Sequence, residues 1–129
     1  MPVQGIRGAT VADENQPESI LAATRELLNA ILEANPTLKV SDLASMIITV
    51  TGDLNAVYPA LAARQLGWTN VAMMCMQEIP VPDGLPRCIR VLMHWNTELP
   101  QNSIRHIYLG TASNLRPDLV NNTPSRRST

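Results

Sequence analysis

The sequence predicts an α+β fold, a mixed β-sheet with two helices on one face, and three observations carry that reading. Between Pro17 and Asn35 the apolar residues recur at three and four positions. The stretch "RCIRVLMHW", Arg87 to Trp95, alternates cleanly. The elements follow one another as β-α-β-α-β-β-β. At 129 residues the chain has room for one sizeable core, assigned to residues 1–119, and the polar residues 120–129 read as a disordered tail.

The first strand is "VQGIRGATV", in which Ile6 points one way and Arg7 the other, with glycines nearby that let something approach the backbone. The helix in "ENQPESILAATRELLNAILEAN" carries Ile20, Leu21, Thr24, Leu27, Leu28, Ile31 and Leu32 on its apolar stripe. Asn15 or Gln16 is its expected cap, Pro17 suits its first turn, and it ends near Asn35 before Pro36. A turn at Ser41 and Asp42 leads into a β-branched strand from Met46 to Thr51. "YPALAARQLG" gives a short second helix between Pro59 and Gly67, and Val71 to Gln77 a third strand. "PVPDGLP" is a loop feeding the alternating strand, and "SIRHIYLG" is the last strand.

Charged residues are 16% of the chain against about a quarter in typical soluble domains, which points to surface covered by a partner subunit, hence a homo-oligomer. The net charge of −1, the scattered Lys and Arg, and only four aromatics (Tyr58, Trp68, Trp95, Tyr108) argue against nucleic acid as a partner. Cys75 and Cys88 lack metal-type spacing. With neither a signal peptide nor a membrane-length apolar run in view, the expectation is a cytoplasmic protein without a membrane partner.

Alternation puts Ile89, Val91, Met93 and Trp95 on one face of the fourth strand, and Cys88, Arg90, Leu92 and His94 on the other, which must meet a cleft or a neighbouring subunit. Glu78, at the end of the third strand, is a candidate partner for Arg90; a permanent ion pair and a ligand site both fit. Arg7 reads either as a solvated edge-strand charge or as an anion-binding group. Tyr108 fits an ordinary half-buried tyrosine, and Arg116 fits a cap or a partner of Asp118. His94 and His106 are read as structural, Cys75 as a small core residue, and Asp13 and Glu14 as solvated loop charges. Arginines near strand interiors, one carboxylate and one tyrosine, with no evident acid-base or metal set, suit a small anionic ligand held by two-point guanidinium contacts.

Taken together, "GIRGAT", "YPALAARQLGW", "CMQEIPV", "CIRVLMHWNTELPQ" and "IRHIYL…LRPDL" closely resemble the trimeric α+β chorismate mutases from Val3 to Leu119. The resemblance implies conversion of chorismate to prephenate, a pseudo-barrel homotrimer with active sites between subunits, and neither metal nor organic cofactor. It assigns Arg90 to the substrate's ether oxygen, Arg7 and Tyr108 to its polar groups, and Glu78 and Cys75 to its ring hydroxyl. Backbone along Met74, Cys75, Met76, Gln77 and Glu78 borders the same pocket. Tyr58, Ala60 and Arg64 form the wall given by the neighbouring subunit, while Leu115 and Arg116 lie at the closing C-terminal end. Leu61 departs from a position that is charged in some members, and Met73 and Met74 replace smaller residues. Two other readings fit a similar trimer: a non-catalytic binder of small carboxylates, and a deaminase of the Rid type.

Overall fold

The computed structural model describes residues 1–115. The expectations for Arg116, for the domain boundary at residue 119 and for the tail lie outside the described residues. Five strands and two helices follow in the expected order. They are β1 (Val3–Val11), α1 (Pro17–Ala34), β2 (Leu43–Val50), α2 (Ala60–Gln65), β3 (Ala72–Gln77), β4 (Cys88–Asn96) and β5 (Ile107–Tyr108). The sheet order is β3-β2-β4-β1-β5. β4 runs antiparallel to both β1 and β2, whereas the β2–β3 and β1–β5 pairs are parallel, so the sheet is mixed.

One sheet face is sealed by the helices. Ile6 on β1, Met46 and Ile48 on β2, and Ile89, Val91, Met93 and Trp95 on β4 are buried there, with Ile20, Leu27, Leu28 and Ile31 of α1 in the same core. The strands are apolar on this face because each inward position meets a helix side chain, and removing such area from water is worth about 25 cal/mol per Å². Gly8 sits at the closest approach. A Cβ there would lie 2.8 Å from Ile31 Cδ1, 3.1 Å from Val91 Cγ2 and 3.2 Å from Leu27 Cδ1. What approaches the backbone at this glycine is therefore α1.

Local expectations change in three places. Gln16 occupies the cap of α1 without a side-chain hydrogen bond, and Asn15, the other capping candidate, is used elsewhere. Its Nδ2 donates to Asn55 Oδ1 at 2.8 Å and its Oδ1 accepts from the amides of Asn55 and Ala56. The last strand shrinks to two residues, because the polar groups of Arg105 pair with the Asn35 side chain rather than with a neighbouring strand, and Gly110 at φ +57° turns the chain into a 3-10 helix at Gly110–Asn114. β1 is not an edge strand, since it lies between β4 and β5, so the edge-strand reading of Arg7 does not hold.

Candidate active site

The face turned away from the helices is organised in rows. One row runs Met76, Thr49, Arg90, Ala9, Tyr108 across all five strands, and the next runs Met74, Ile47, Leu92, Arg7. Arg90 and Arg7 are thus diagonal neighbours on adjacent strands, close enough for both to touch one small ligand. Ala9 lies between Arg90 and Tyr108 and is fully buried, packed with Tyr108 and Ala112.

A cleft of about 270 Å³ opens over these rows, lined by Arg7, Thr49, Glu78, Arg90, Leu92 and Tyr108 among others. A second hollow of about 570 Å³ meets it at Glu78 and Arg90 and is bordered by Asp53, the 79–81 and 84–86 segments and Leu115. The Arg90 Nη1 to Glu78 Oε1 distance is 3.6 Å, with the two side chains 45% and 24% exposed. That is a loose, half-solvated pair of the kind that contributes at most about 1 kcal/mol. Arg90 is therefore not a buried cation neutralised by a permanent partner, and its guanidinium keeps donors facing the cleft. The cleft lining holds two arginines against one glutamate, which favours an anion.

Backbone and side-chain clamps set these groups in place. Glu78 lies one residue past β3, and its N–H donates to the Val50 carbonyl at 2.9 Å, locking its register on β2. Its Oε2 accepts a hydrogen bond from Thr49 Oγ1. Arg90 enters through a clamp at the start of β4. The Asp53 carboxylate accepts the Arg87 N–H at 2.9 and 3.1 Å, and Thr51 Oγ1 accepts the Cys88 N–H at 3.0 Å. Partial burial would raise the Asp53 carboxyl, but hydrogen bonds from Thr51 and Arg87, with the nearby Arg87 charge, outweigh it and hold the group below its ordinary value. Arg87 adopts a φ of +49°, a left-handed conformation kept by this clamp and by its Nε bond to the Ala12 carbonyl at 3.0 Å.

Tyr108 is buried beside Ala9, Ala112 and Leu115. Its strand is held from two sides. Asn35 Oδ1 accepts the Arg105 N–H and its Nδ2 donates to the Arg105 carbonyl, both at 3.0 Å, while His106 Nδ1 accepts the Arg7 N–H at 2.9 Å. His94 bonds Ser45 Oγ at 2.9 Å. Both histidines serve as hydrogen-bond anchors, in line with the structural reading.

Not every expected site residue joins this cleft. Cys75 is paired with Ile48 and packs against the helix-side core, so its thiol belongs to the other face. Because the Glu78 amide points to β2, strand alternation turns the amides of Cys75 and Gln77 towards the open edge of β3. Met74 and Met76 project from the cleft face and are 63% and 41% exposed. Tyr58 lines a separate hollow of about 620 Å³ with Cys75, Met76 and Gln77, Ala60 is buried at the start of α2, and Arg64 is exposed on that helix. Within one chain none of these three lines the cleft over Arg90. Residues that the sequence did not single out, Thr49, Asn35 and Asp53, prove to hold Glu78, Tyr108 and the entry to β4.

The family model for chorismate mutase type I matches residues 3–119. This chain belongs to the chorismate mutase type I family. Chorismate mutase AroH of Thermus thermophilus is 53% identical over 117 residues, spanning 91% of this chain and 96% of the relative. The AroH enzyme of Bacillus subtilis is 48% identical over 120 residues, 92% of this chain and 94% of its own. A solved chorismate mutase from Clostridium thermocellum superposes with a TM-score of 0.82 at 48% identity, covering 85% of this chain and 97% of that one. The family is one of isomerases, and the mixed five-stranded sheet described above is the architecture this chain shares with that neighbour.

Proposed function

We propose that the chain rearranges chorismate to prephenate, in the biosynthesis of phenylalanine and tyrosine, in the cleft over Arg90. The observation that carries this reading is a pair of cations, Arg7 and Arg90, facing one cleft with a single carboxylate, Glu78, between them and the sheet edge. Chorismate is a dicarboxylate with a ring hydroxyl, and a net cationic cleft with one acceptor matches both features.

The rearrangement is a concerted [3,3] shift in which the C–O bond breaks ahead of C–C bond formation, so negative charge grows on the ether oxygen. No proton is moved and no covalent intermediate forms. Arg90 supports the charge as it appears: a cation fixed on a central strand interacts more strongly with the developing oxyanion than with the neutral ether, so it lowers the barrier selectively. Arg7 and Tyr108 bind the substrate's polar groups and favour the compact, reactive conformer over the extended one. Glu78 accepts the ring hydroxyl, with the open-edge amide of Cys75 as a second contact.

An acceleration of about 10⁶-fold needs about 8 kcal/mol. Loss of one oxyanion donor typically costs about 2.7–4 kcal/mol, so Arg90 supplies a large share and conformer selection much of the remainder.

The same reading makes the assembly a homotrimer with the clefts between subunits. Three features support it. Tyr58, Met74, Met76, Ile79 and Val81 expose large apolar side chains, the edge of β3 has open amides, and Tyr58, Ala60 and Arg64 stand apart from the cleft of their own chain. A neighbour's Tyr58, Ala60 and Arg64 would complete each site, with Met74 to Glu78 along one wall and Leu115 at the mouth. A cytoplasmic location fits the two free thiols, Cys75 and Cys88.

The test is turnover of Arg90→Ala and of a citrulline replacement at position 90. Alanine is expected to lose at least a hundredfold in kcat while the protein stays folded, and citrulline, which keeps shape and hydrogen bonds but not charge, to lose nearly as much. An unaffected citrulline enzyme would remove the electrostatic account, and a wild-type protein that forms no prephenate would remove the activity.

A further inference from the structure

Glu78 is a flexible side chain, partly solvated, lying just beyond the end of an edge strand. Its contact with Arg90 is long and half exposed, which is too weak to hold a three-torsion side chain in one rotamer. Something else must fix it. The only other side chain bonded to its carboxylate among the described residues is Thr49, whose Oγ1 donates to Oε2 while Oε1 faces Arg90. Thr49 is the Cα partner of Arg90 on one side and of Met76 on the other, so on a strand paired along both edges it lies beside Arg90 and one diagonal step from Glu78. Its branched Cβ restricts χ1, making it a stiff donor where Glu78 is a pliable acceptor.

We propose that Thr49 is a positioning residue that orients the Glu78 carboxylate before substrate arrives, with one oxygen turned towards Arg90. The inference rests on the chorismate mutase reading of the cleft and adds to it the group that sets the cleft's single carboxylate. The two oxygens of Glu78 are thereby divided: one is committed to Thr49, and the other stays available to Arg90 and a ligand hydroxyl. Only a hydroxyl-bearing side chain of this length can do this from position 49. Serine keeps the donor with a looser rotamer, whereas valine keeps the shape and the strand preference but has no donor.

The test combines a kinetic cycle with a measurement that needs no substrate. Thr49→Val is expected to lower kcat about tenfold, the lower end of what one hydrogen bond to a charged group controls, with a smaller change in KM. Thr49→Ser should restore most of that loss. In a Glu78→Ala background Thr49→Val should cost little more, because the acceptor of the Thr49 hydroxyl is already gone. Matched unfolding midpoints and circular dichroism spectra would establish that the valine variant keeps its fold. In the free protein the Arg90 guanidinium nitrogen-15 signals should move in Thr49→Val in the same direction as in Glu78→Ala. A valine variant with wild-type kcat and unmoved Arg90 signals overturns the proposal, and so does a loss that repeats in full in the Glu78→Ala background. If the wild-type protein forms no prephenate, the activity reading falls, and the Arg90 signals alone decide on Thr49.

Discussion

Replacing Gly8 with alanine tests how tightly β1 is wedged between the helix layer and the cleft. Alanine suits the extended backbone of β1 and narrows the unfolded ensemble, which by itself would stabilise the protein by about 0.4–1 kcal/mol. Against that, the new methyl would meet Ile31 Cδ1 at 2.8 Å, Val91 Cγ2 at 3.1 Å and Leu27 Cδ1 at 3.2 Å. All three side chains are buried, so none can swing into solvent. Overpacking of this kind costs about 1–3 kcal/mol, and the difference leaves a net loss of about 1.3 kcal/mol at central values, in a range of about 0–2.6. Equilibrium urea unfolding at fixed protein concentration would read it as a lower midpoint with an unchanged m-value. Trimming the worst contact gives the decisive comparison: Ile31→Val alone costs about 0.5–1.5 kcal/mol, but combined with Gly8→Ala it should cost much less. Because Arg7 and Ala9 flank Gly8 on the opposite face, turnover should fall in the single variant and partly recover in the double. A Gly8→Ala protein more stable than wild type, or strictly additive losses in the double variant, would refute the wedge.

Other parts of the molecule give equally direct expectations. Asn35→Ala removes the side chain that grips Arg105 and should cost about 1–3 kcal/mol of stability, with a raised KM because Tyr108 loses its support; an unchanged KM would separate Asn35 from the site. Asp53 has its carboxyl held below the ordinary value in the folded state, so its contribution is present above the unfolded pKa and is lost as pH falls through the lower folded one. Asp53→Asn should therefore destabilise the protein at pH 7 and much less at pH 3, and equal effects at both values in unfolding titrations would count against the clamp. Burial pushes the Cys88 thiol up to about 11, with Arg90 pulling it the other way, so alkylation at pH 8 should leave Cys88 unmodified until the protein is unfolded; mass spectrometry of native samples checks this.

The legible parts of this fold are those written in short-range patterns. The alternation from Ile89 to Trp95 could be read because β4 has a helix layer on one face and a cleft on the other, so each residue type reports its side. The α1 stripe was readable for the same reason, and Arg90, Glu78 and Arg7 stood out as charges at positions flanked by apolar or small residues. What the sequence hid depends on partners far along the chain. Asn35 looks like an ordinary helix terminator, yet its side chain pairs with Arg105, and that exchange is why the last strand is two residues long. Thr49 reads as one more β-branched residue in "IITVT", and only the register of three strands puts it beside Arg90 and one diagonal step from Glu78. The glycine after Arg7 carried the right signal of close approach, but nothing local could say whether a ligand or a helix was approaching.

The central pairing of β1 with β4 joins Val3 to Asn96 and Val11 to Cys88, so the heart of the sheet is made of segments from opposite ends of the described chain. A ribosome has to add more than eighty residues after Arg7 before it can lie beside Arg90. Until then β2 lacks its antiparallel neighbour, and the nascent chain presents an unpaired strand next to the exposed methionines of β3. Contacts of such long sequence separation fold slowly, and open strands are where chains stick to one another. The arrangement that makes the cleft rigid once formed also makes it late to form, and it ties the yield of active protein to what shields the growing chain during synthesis.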